Sequence, residues 1–159
     1  MSAQTLINTL ADTARAAGRT LNTATGAERK AALLTIADAI EARSVEILAA
    51  NAKDMEAGHA AGLNSSLLDR LLLTPERIKG IAGGARQVSE LEDPLGKTLR
   101  KSTLPNGIEL EQISVPFGVI GMVYEARPNV TVDAAVILIK SGNAALLRGS
   151  STAAHSNEV

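Results

Sequence analysis

Residues 115–130 read VPFGVIGMVYEARPNV, and they set the fold class. Gly118 to Tyr124 is a short apolar run suited to a strand buried on both faces. It hands over to Tyr124-Glu125-Ala126-Arg127-Pro128-Asn129, a polar cluster holding the only Tyr of the chain, while the only Phe, Phe117, lies just upstream. Pro128 can open a helix, with Asn129 in its cap or first turn. Val132, Ala135, Val136 and Ile139 then share one helical face, and Ser141-Gly142 stops the helix. Ala144 to Leu147 is the next strand, and Arg148-Gly149-Ser150-Ser151 turns into a further helix opening near Thr152. Strand, helix and strand make a βαβ unit, whose strands are parallel by handedness. Two strands do not complete a doubly wound sheet and the last helix has no following strand to return to, so the chain reads as cut.

Upstream the character differs. The first ninety or so residues read as helices. Thr25-Gly26-Ala27-Glu28 has capping-box spacing, followed by Leu33, Ile36, Ala37 and Ile40 on one face. Ser44 is placed to cap a segment carrying Val45, Ile47, Leu48 and Met55, which fades at Gly62. Thr74-Pro75-Glu76 offers a cap and a first-turn proline before Ile78, Ile81 and Val88. Charge pairs such as Glu28 with Lys30 and Glu41 with Arg43 read as solvated faces. Asp93-Pro94-Leu95-Gly96 ends the helical region. Thr98–Thr103 and Ile108 to Ser114, joined through Leu104-Pro105-Asn106-Gly107, then read as a hairpin. Such a ribbon needs another surface to lie on, its own chain's or another subunit's. The expected organisation is therefore a helical region over 1–96, a hairpin arm over 97–114 and an incomplete βαβ unit over 115–159.

Composition narrows the function. The 159 residues are 45% hydrophobic and 21% charged, enough apolar content for one globular core. Sixteen basic residues against seventeen acidic ones give no electrostatic reason to expect a nucleic acid or a membrane as partner. The opening MSAQTLINTL lacks the basic-then-apolar pattern of a secretory signal, and a cytoplasmic protein is expected. Cysteine is absent, which excludes disulfides, thiolate metal sites and a thiol nucleophile within this chain. With only two histidines, His59 and His155, no metal site is expected.

In open α/β sheets, ligands sit beyond the carboxyl ends of parallel strands, and both polar turns fall at that edge. An Arg and two Ser in a turn before a helix suit a phosphate. Each residue has a plain structural alternative: Arg148 as a surface charge, Asn129 as a helix cap, Glu125 and Arg127 as partners of each other or of neighbours. Neither GxGxxG nor GxxxxGK[ST] is present. Phe117 and Tyr124 read as packing residues beside the site, Phe117 as core filling.

The stretches VPFGVIG, YEARPNV, KSGNA and LRGSS resemble the gamma-glutamyl phosphate reductase family of the aldehyde dehydrogenase superfamily. Two upstream stretches, ILAANAKDM at 47–55 and LLDRLLLTPER at 67–77, agree with it. The resemblance implies the start of a Rossmann-like cofactor domain and an arm through which subunits associate as a homo-oligomer. It implies NADPH-dependent reduction of L-glutamyl 5-phosphate to L-glutamate 5-semialdehyde and phosphate, a step of proline synthesis. Asn129 then falls where the superfamily stabilises an oxyanion, and Arg148, Ser150 and Ser151 fall where it binds the adenosine ribose. There Arg148, with Ser151 in place of a carboxylate, suits the 2′-phosphate of NADP. Glu125 and Arg127 sit at the substrate or cofactor edge. The nucleophilic Cys of the family has no counterpart in this chain, so the chain alone is expected to be inactive. Two other readings stand beside it: another acylating aldehyde dehydrogenase, and a non-catalytic fragment that only associates through its hairpin.

Overall fold

The structure, a computed structural model, describes residues 2–159, so the first residue of the expected helical region lies outside it. Five helices come first: α1 (Ala3–Thr23), α2 (Gly26–Ala42), α3 (Ser44–Ala60), α4 (Ser65–Leu71) and α5 (Pro75–Glu90). The capping box at Thr25 and Glu28 forms with both of its bonds, and Thr74 caps α5 ahead of Pro75. Ser44 caps nothing. Arg43 is the residue at the joint, ending α2 and opening α3 with no side-chain cap bond. The sequence-adjacent charge pairs also dissolve into other partnerships. Glu28 closes the capping box, Lys30 reaches Glu90, Glu41 accepts from Arg86, and Arg43 pairs with Glu46.

The core lies where α2 and α5 meet α6 (Pro128–Lys140). Leu33 and Ala37 of α2, Ala82 and Ala85 of α5, and Val136 of α6 are its fully buried members. Three alanines among five residues let the helix axes approach closely, and Ile36, Ile40, Val88, Val132 and Ile139 close the rim. Beneath this core two cations are buried. Arg29 donates to both oxygens of Asp93 at 2.9 and 2.7 Å, and the Nζ of Lys140 donates to the Ser89 carbonyl at 2.9 Å.

Strands β1 (Thr98–Thr103) and β2 (Glu109–Ile113) form the expected antiparallel hairpin. Gly107, at φ +84°, holds a backbone conformation that favours glycine, and its N–H donates to the Leu104 carbonyl across the turn. Both strands are exposed along nearly their whole length.

Strand β3 (Val119–Val123), helix α6 and strand β4 (Ala144–Arg148) complete the βαβ unit, with the strands parallel from Val119 opposite Ala144 to Val123 opposite Arg148. The end of α6 is a Schellman turn: Gly142 N–H donates to the Ile139 carbonyl and Asn143 N–H to that of Leu138. Gly142, at φ +72°, also has no room for a side chain, since an added Cβ would lie 2.8 Å from Leu95 Cδ1 and 2.9 Å from Pro116 Cγ. Helices α1 and α6 both pack on this small sheet, α1 through Gly18 against the carbonyl of Gly118.

Three sequence expectations are corrected here. Strand β3 is not buried on both faces. Val119 and Ile120 are half-buried where α1 reaches them, but Gly121, Met122 and Val123 are exposed, because a two-stranded sheet gives that end of the strand no second cover. Phe117 is not core filling but 90% exposed. It lies in extended chain whose alternate residues Ser114, Pro116 and Gly118 face inward, so Val115 and Phe117 face out. The last helix opens differently from the expected Thr152 start: a 3₁₀ turn (Ser151–Ala153) leads into α7 (Ala154–Glu158).

Candidate active site

The two polar turns leave the sheet side by side. Tyr124 N–H donates to the Arg148 carbonyl at 3.1 Å, continuing the parallel ladder one residue beyond β3. Tyr124 itself joins the turns. Its hydroxyl and Thr131 Oγ1 lie 2.7 Å apart, and Thr131 donates to Asn157 Oδ1 at 2.6 Å. A Cβ on Gly149 would press on the Tyr124 ring and the Asn157 amide, so the second turn runs close beneath both.

Beside the first turn lies a cleft of about 540 Å³, where Arg127, Asn129 and Asp133 face Asp69, Arg70 and Arg77 across the α4–α5 connection. Its charges divide by occupation. Arg77 is spent on structure, donating to the Asp69 and Leu72 carbonyls and to Asp69 Oδ1. Arg70 approaches Glu125 at 3.6 Å between exposed groups, a pair worth under about 1 kcal/mol. Arg127 makes no ion pair among the described residues. Glu125 and Arg127 therefore do not pair with each other. Asn129 does not cap α6 either: the cap residue is Arg127, Pro128 follows, and Asn129 stands at the second helical position. Its Nδ2 donates to Asp133 Oδ2 at 3.0 Å, one turn along the same helix.

The second turn is built otherwise. Ser150 Oγ accepts from Thr152 N–H at 3.2 Å and so caps the 3₁₀ turn. Arg148 and Ser151 are exposed, and Arg148 makes no ion pair among the described residues. Ser151 and Thr152 border a smaller cleft of about 250 Å³ with Asp54, Gly58 and His155. The structure thus brings Arg127 and Asn129 into one cleft, sets Glu125 at its rim through Arg70, and holds Arg148, Ser150 and Ser151 in the neighbouring turn.

What anchors that second turn is a buried carboxylate. Asp54 Oδ2 accepts from Ser156 N–H at 2.8 Å and Oγ at 2.6 Å, and Oδ1 from His155 N–H at 3.1 Å, with His155 Nδ1 2.8 Å away. Burial would push the Asp54 carboxyl up, but the bonds from Ser156 and His155 outweigh it and hold the group below its ordinary value. One turn earlier, Asn51 Nδ2 donates to the Leu71 carbonyl and to Ser156 Oγ, and its Oδ1 accepts from Leu73 N–H. Asn51 thereby ties α3, the end of α4 and α7 together.

Sequence reasoning assigned no chemistry to Asp69, Arg70, Asp133, Asn51 or Asp54. The spacing of Asn129 and Asp133 was a legible signal, since residues four apart share a helix face. No comparable signal joins Asp54 to residues about a hundred positions away.

The structure is similar to solved gamma-glutamyl phosphate reductases. That of Thermotoga maritima superposes with a TM-score of 0.89 at 39% identity, covering 93% of this chain and 36% of that one. That of Saccharomyces cerevisiae gives 0.88 at 36% identity, covering 98% of this chain and 39% of that one. In sequence, the gamma-glutamyl phosphate reductase of Anoxybacillus flavithermus is 60% identical over 131 residues. The chain is homologous to gamma-glutamyl phosphate reductase. It spans 82% of itself but 32% of the Anoxybacillus reductase in that match, and the solved reductases are matched over their amino-terminal parts. No protein-family model matches the chain. The matches with the two solved gamma-glutamyl phosphate reductases take in 93% and 98% of this chain, so nearly the whole of its fold is shared with them.

Proposed function

We propose that this chain supplies the oxyanion-binding turn and part of the cofactor edge of an NADPH-dependent reductase. That enzyme converts L-glutamyl 5-phosphate to L-glutamate 5-semialdehyde and phosphate in proline synthesis. The observation that carries the reading is the junction at Arg127-Pro128-Asn129. It places a side-chain amide together with a guanidinium that makes no ion pair among the described residues, in one cleft at the carboxyl edge of the parallel strands.

The chemistry follows from those groups. An acyl phosphate carries its negative charge on the phosphoryl oxygens, and attack on its acyl carbon moves further charge onto the acyl oxygen. Arg127 and Arg70 favour an anion in the cleft, and the amide of Asn129 donates to an oxygen as charge develops there. The chain has no cysteine, so the attacking thiol of this reading belongs to a part of the enzyme outside these residues.

NADPH supplies the hydride when bound. Residues 115–159 would be the first βαβ unit of its domain. Arg148, exposed and unpaired among the described residues, suits the 2′-phosphate, with Ser151 beside it and Ser150 keeping the turn in shape. The Arg148 turn offers no carboxylate for a free 2′-hydroxyl, in keeping with NADP rather than NAD. The helical residues 1–96 would brace this domain, and the hairpin, 97–114, would be an oligomerisation arm, since its exposed faces meet little of its own chain. No helix among the described residues is long and apolar enough to cross a membrane, and we place the enzyme in the cytoplasm with no membrane or nucleic acid as partner.

The test is Asn129→Ala at the matching position of a full-length reductase that carries the YEARPNVTVDAA stretch. The expected loss in kcat is about 10²–10³, with the KM for NADPH nearly unchanged. An unchanged kcat would refute an oxyanion role for Asn129.

A further inference from the structure

We infer that Asp133 is a positioning residue for the Asn129 amide, fixing which of its atoms faces the reacting oxygen. The inference rests on the oxyanion reading of Asn129. An amide side chain presents a donor end and an acceptor end of nearly the same shape, and only the donor end stabilises an oxyanion. On an isolated helix surface nothing chooses between them. Here Asp133, one turn further along α6, receives the Asn129 Nδ2 at 3.0 Å. An ionised carboxylate only accepts, so the amide must turn its nitrogen toward it, and the nitrogen has two hydrogens. One is held by Asp133. The other is free to serve the cleft that both residues line.

The charge on Asp133 bears on this arrangement too. A carboxylate near a developing oxyanion opposes it through space, so its placement needs compensation. The cleft provides it: Arg127 and Arg70 line the same walls, while Asp69 is already engaged by Arg77. A direct role for Asp133 in holding a substrate ammonium group is the competing use of the same carboxylate, and the two uses differ in what a neutral isostere does. The carbonyl oxygen of Asn at 133 can still accept from Asn129. It cannot hold an ammonium group by charge.

The experiment compares four variants at the matching positions of a full-length reductase carrying YEARPNVTVDAA: Asp133→Ala, Asp133→Asn, Asn129→Ala and the double alanine. Asp133 is exposed, so the variants are expected to fold, and the KM for NADPH reports whether they have. Asp133→Ala should lower kcat about tenfold, the size of losing one charge-assisted hydrogen bond, while both KM values stay within about twofold. Asp133→Asn should restore most of that loss, and the double variant should be no slower than Asn129→Ala alone. A wild-type rate for Asp133→Ala, or losses that multiply in the double variant, would overturn the inference. So would an acyl-phosphate KM that rises equally in Asp133→Asn and Asp133→Ala. If Asn129→Ala itself kept the full kcat, the oxyanion reading would fall and this inference with it. A slow Asn129→Ala beside a normal Asp133→Ala would remove this inference alone.

Discussion

Tyr124 and Phe117 stand seven positions apart and meet opposite fates. Tyr124 is half-buried between the two turns, its ring against Gly149 and its hydroxyl on Thr131. Phe117 points outward. An apolar residue beside a strand is usually packed, and that rule decided the sequence reading of both. What the sequence could not show was parity. Ser114, whose hydroxyl donates to the Pro94 carbonyl at 2.6 Å, and Gly118, whose N–H donates to Asn143 Oδ1 at 2.9 Å, fix which alternate residues face inward. Phe117 falls on the wrong count. For Tyr124 the consequence is measurable: Tyr124→Phe keeps the ring and removes one hydrogen bond. Urea unfolding of the 159-residue chain should show a loss of about 1 kcal/mol. A change below about 0.3 kcal/mol would mean that the hydroxyl contributes nothing to joining the turns.

At the level of elements, helix boundaries were legible wherever a cap wrote them into the sequence, as at Thr25, Thr74 and Gly142. Helix α3 shows the opposite case. Its apolar residues Val45, Ile47, Leu48 and Met55 marked the segment in the sequence, yet Val45 is 80% exposed. The face that is buried carries Ala50, Asn51, Asp54 and Gly58, small and polar residues that no apolar periodicity reveals. Their burial makes sense only once α7 is seen against them. Asp54 is 1% exposed and pinned by His155 and Ser156, which gives acid sensitivity a definite sign. Its folded pKa lies below the ordinary carboxylate value of about 3.9, so its stabilisation is present above that pH and lost as pH falls through the folded value. Asp54→Asn keeps one acceptor and should cost about 1–3 kcal/mol at pH 7 by leaving buried donors unserved. The gap between wild type and variant should close as pH is lowered below about 4. A gap that stays constant from pH 7 to pH 3 would show that the Asp54 charge is not what holds α7.

For the molecule as a whole, the α/β class, the hairpin and the parallel βαβ unit were all readable, because each rests on local pattern and on handedness. The cleft was not, since seven of its ten lining residues come from α4, α5 and the connection between them, more than forty residues from the turn they face. The chain meets the sheet edge in two places, and the function we propose gives each its own work: Asn129 and Arg127 in the cleft, Arg148 and Ser151 in the turn beside it. That division is the central claim, and cofactor preference probes it with no need to know how the substrate lies. The measurement is kcat/KM for NADPH and for NADH with Arg148→Ala at the matching position of a full-length reductase carrying both YEARPNVTVDAA and LRGSS. The expected result is a loss of about ten- to a hundredfold with NADPH, the value of charge-assisted hydrogen bonds to the 2′-phosphate, and a far smaller loss with NADH. Equal losses with both cofactors would contradict it, reducing Arg148 to a residue that shapes the turn and reads no phosphate.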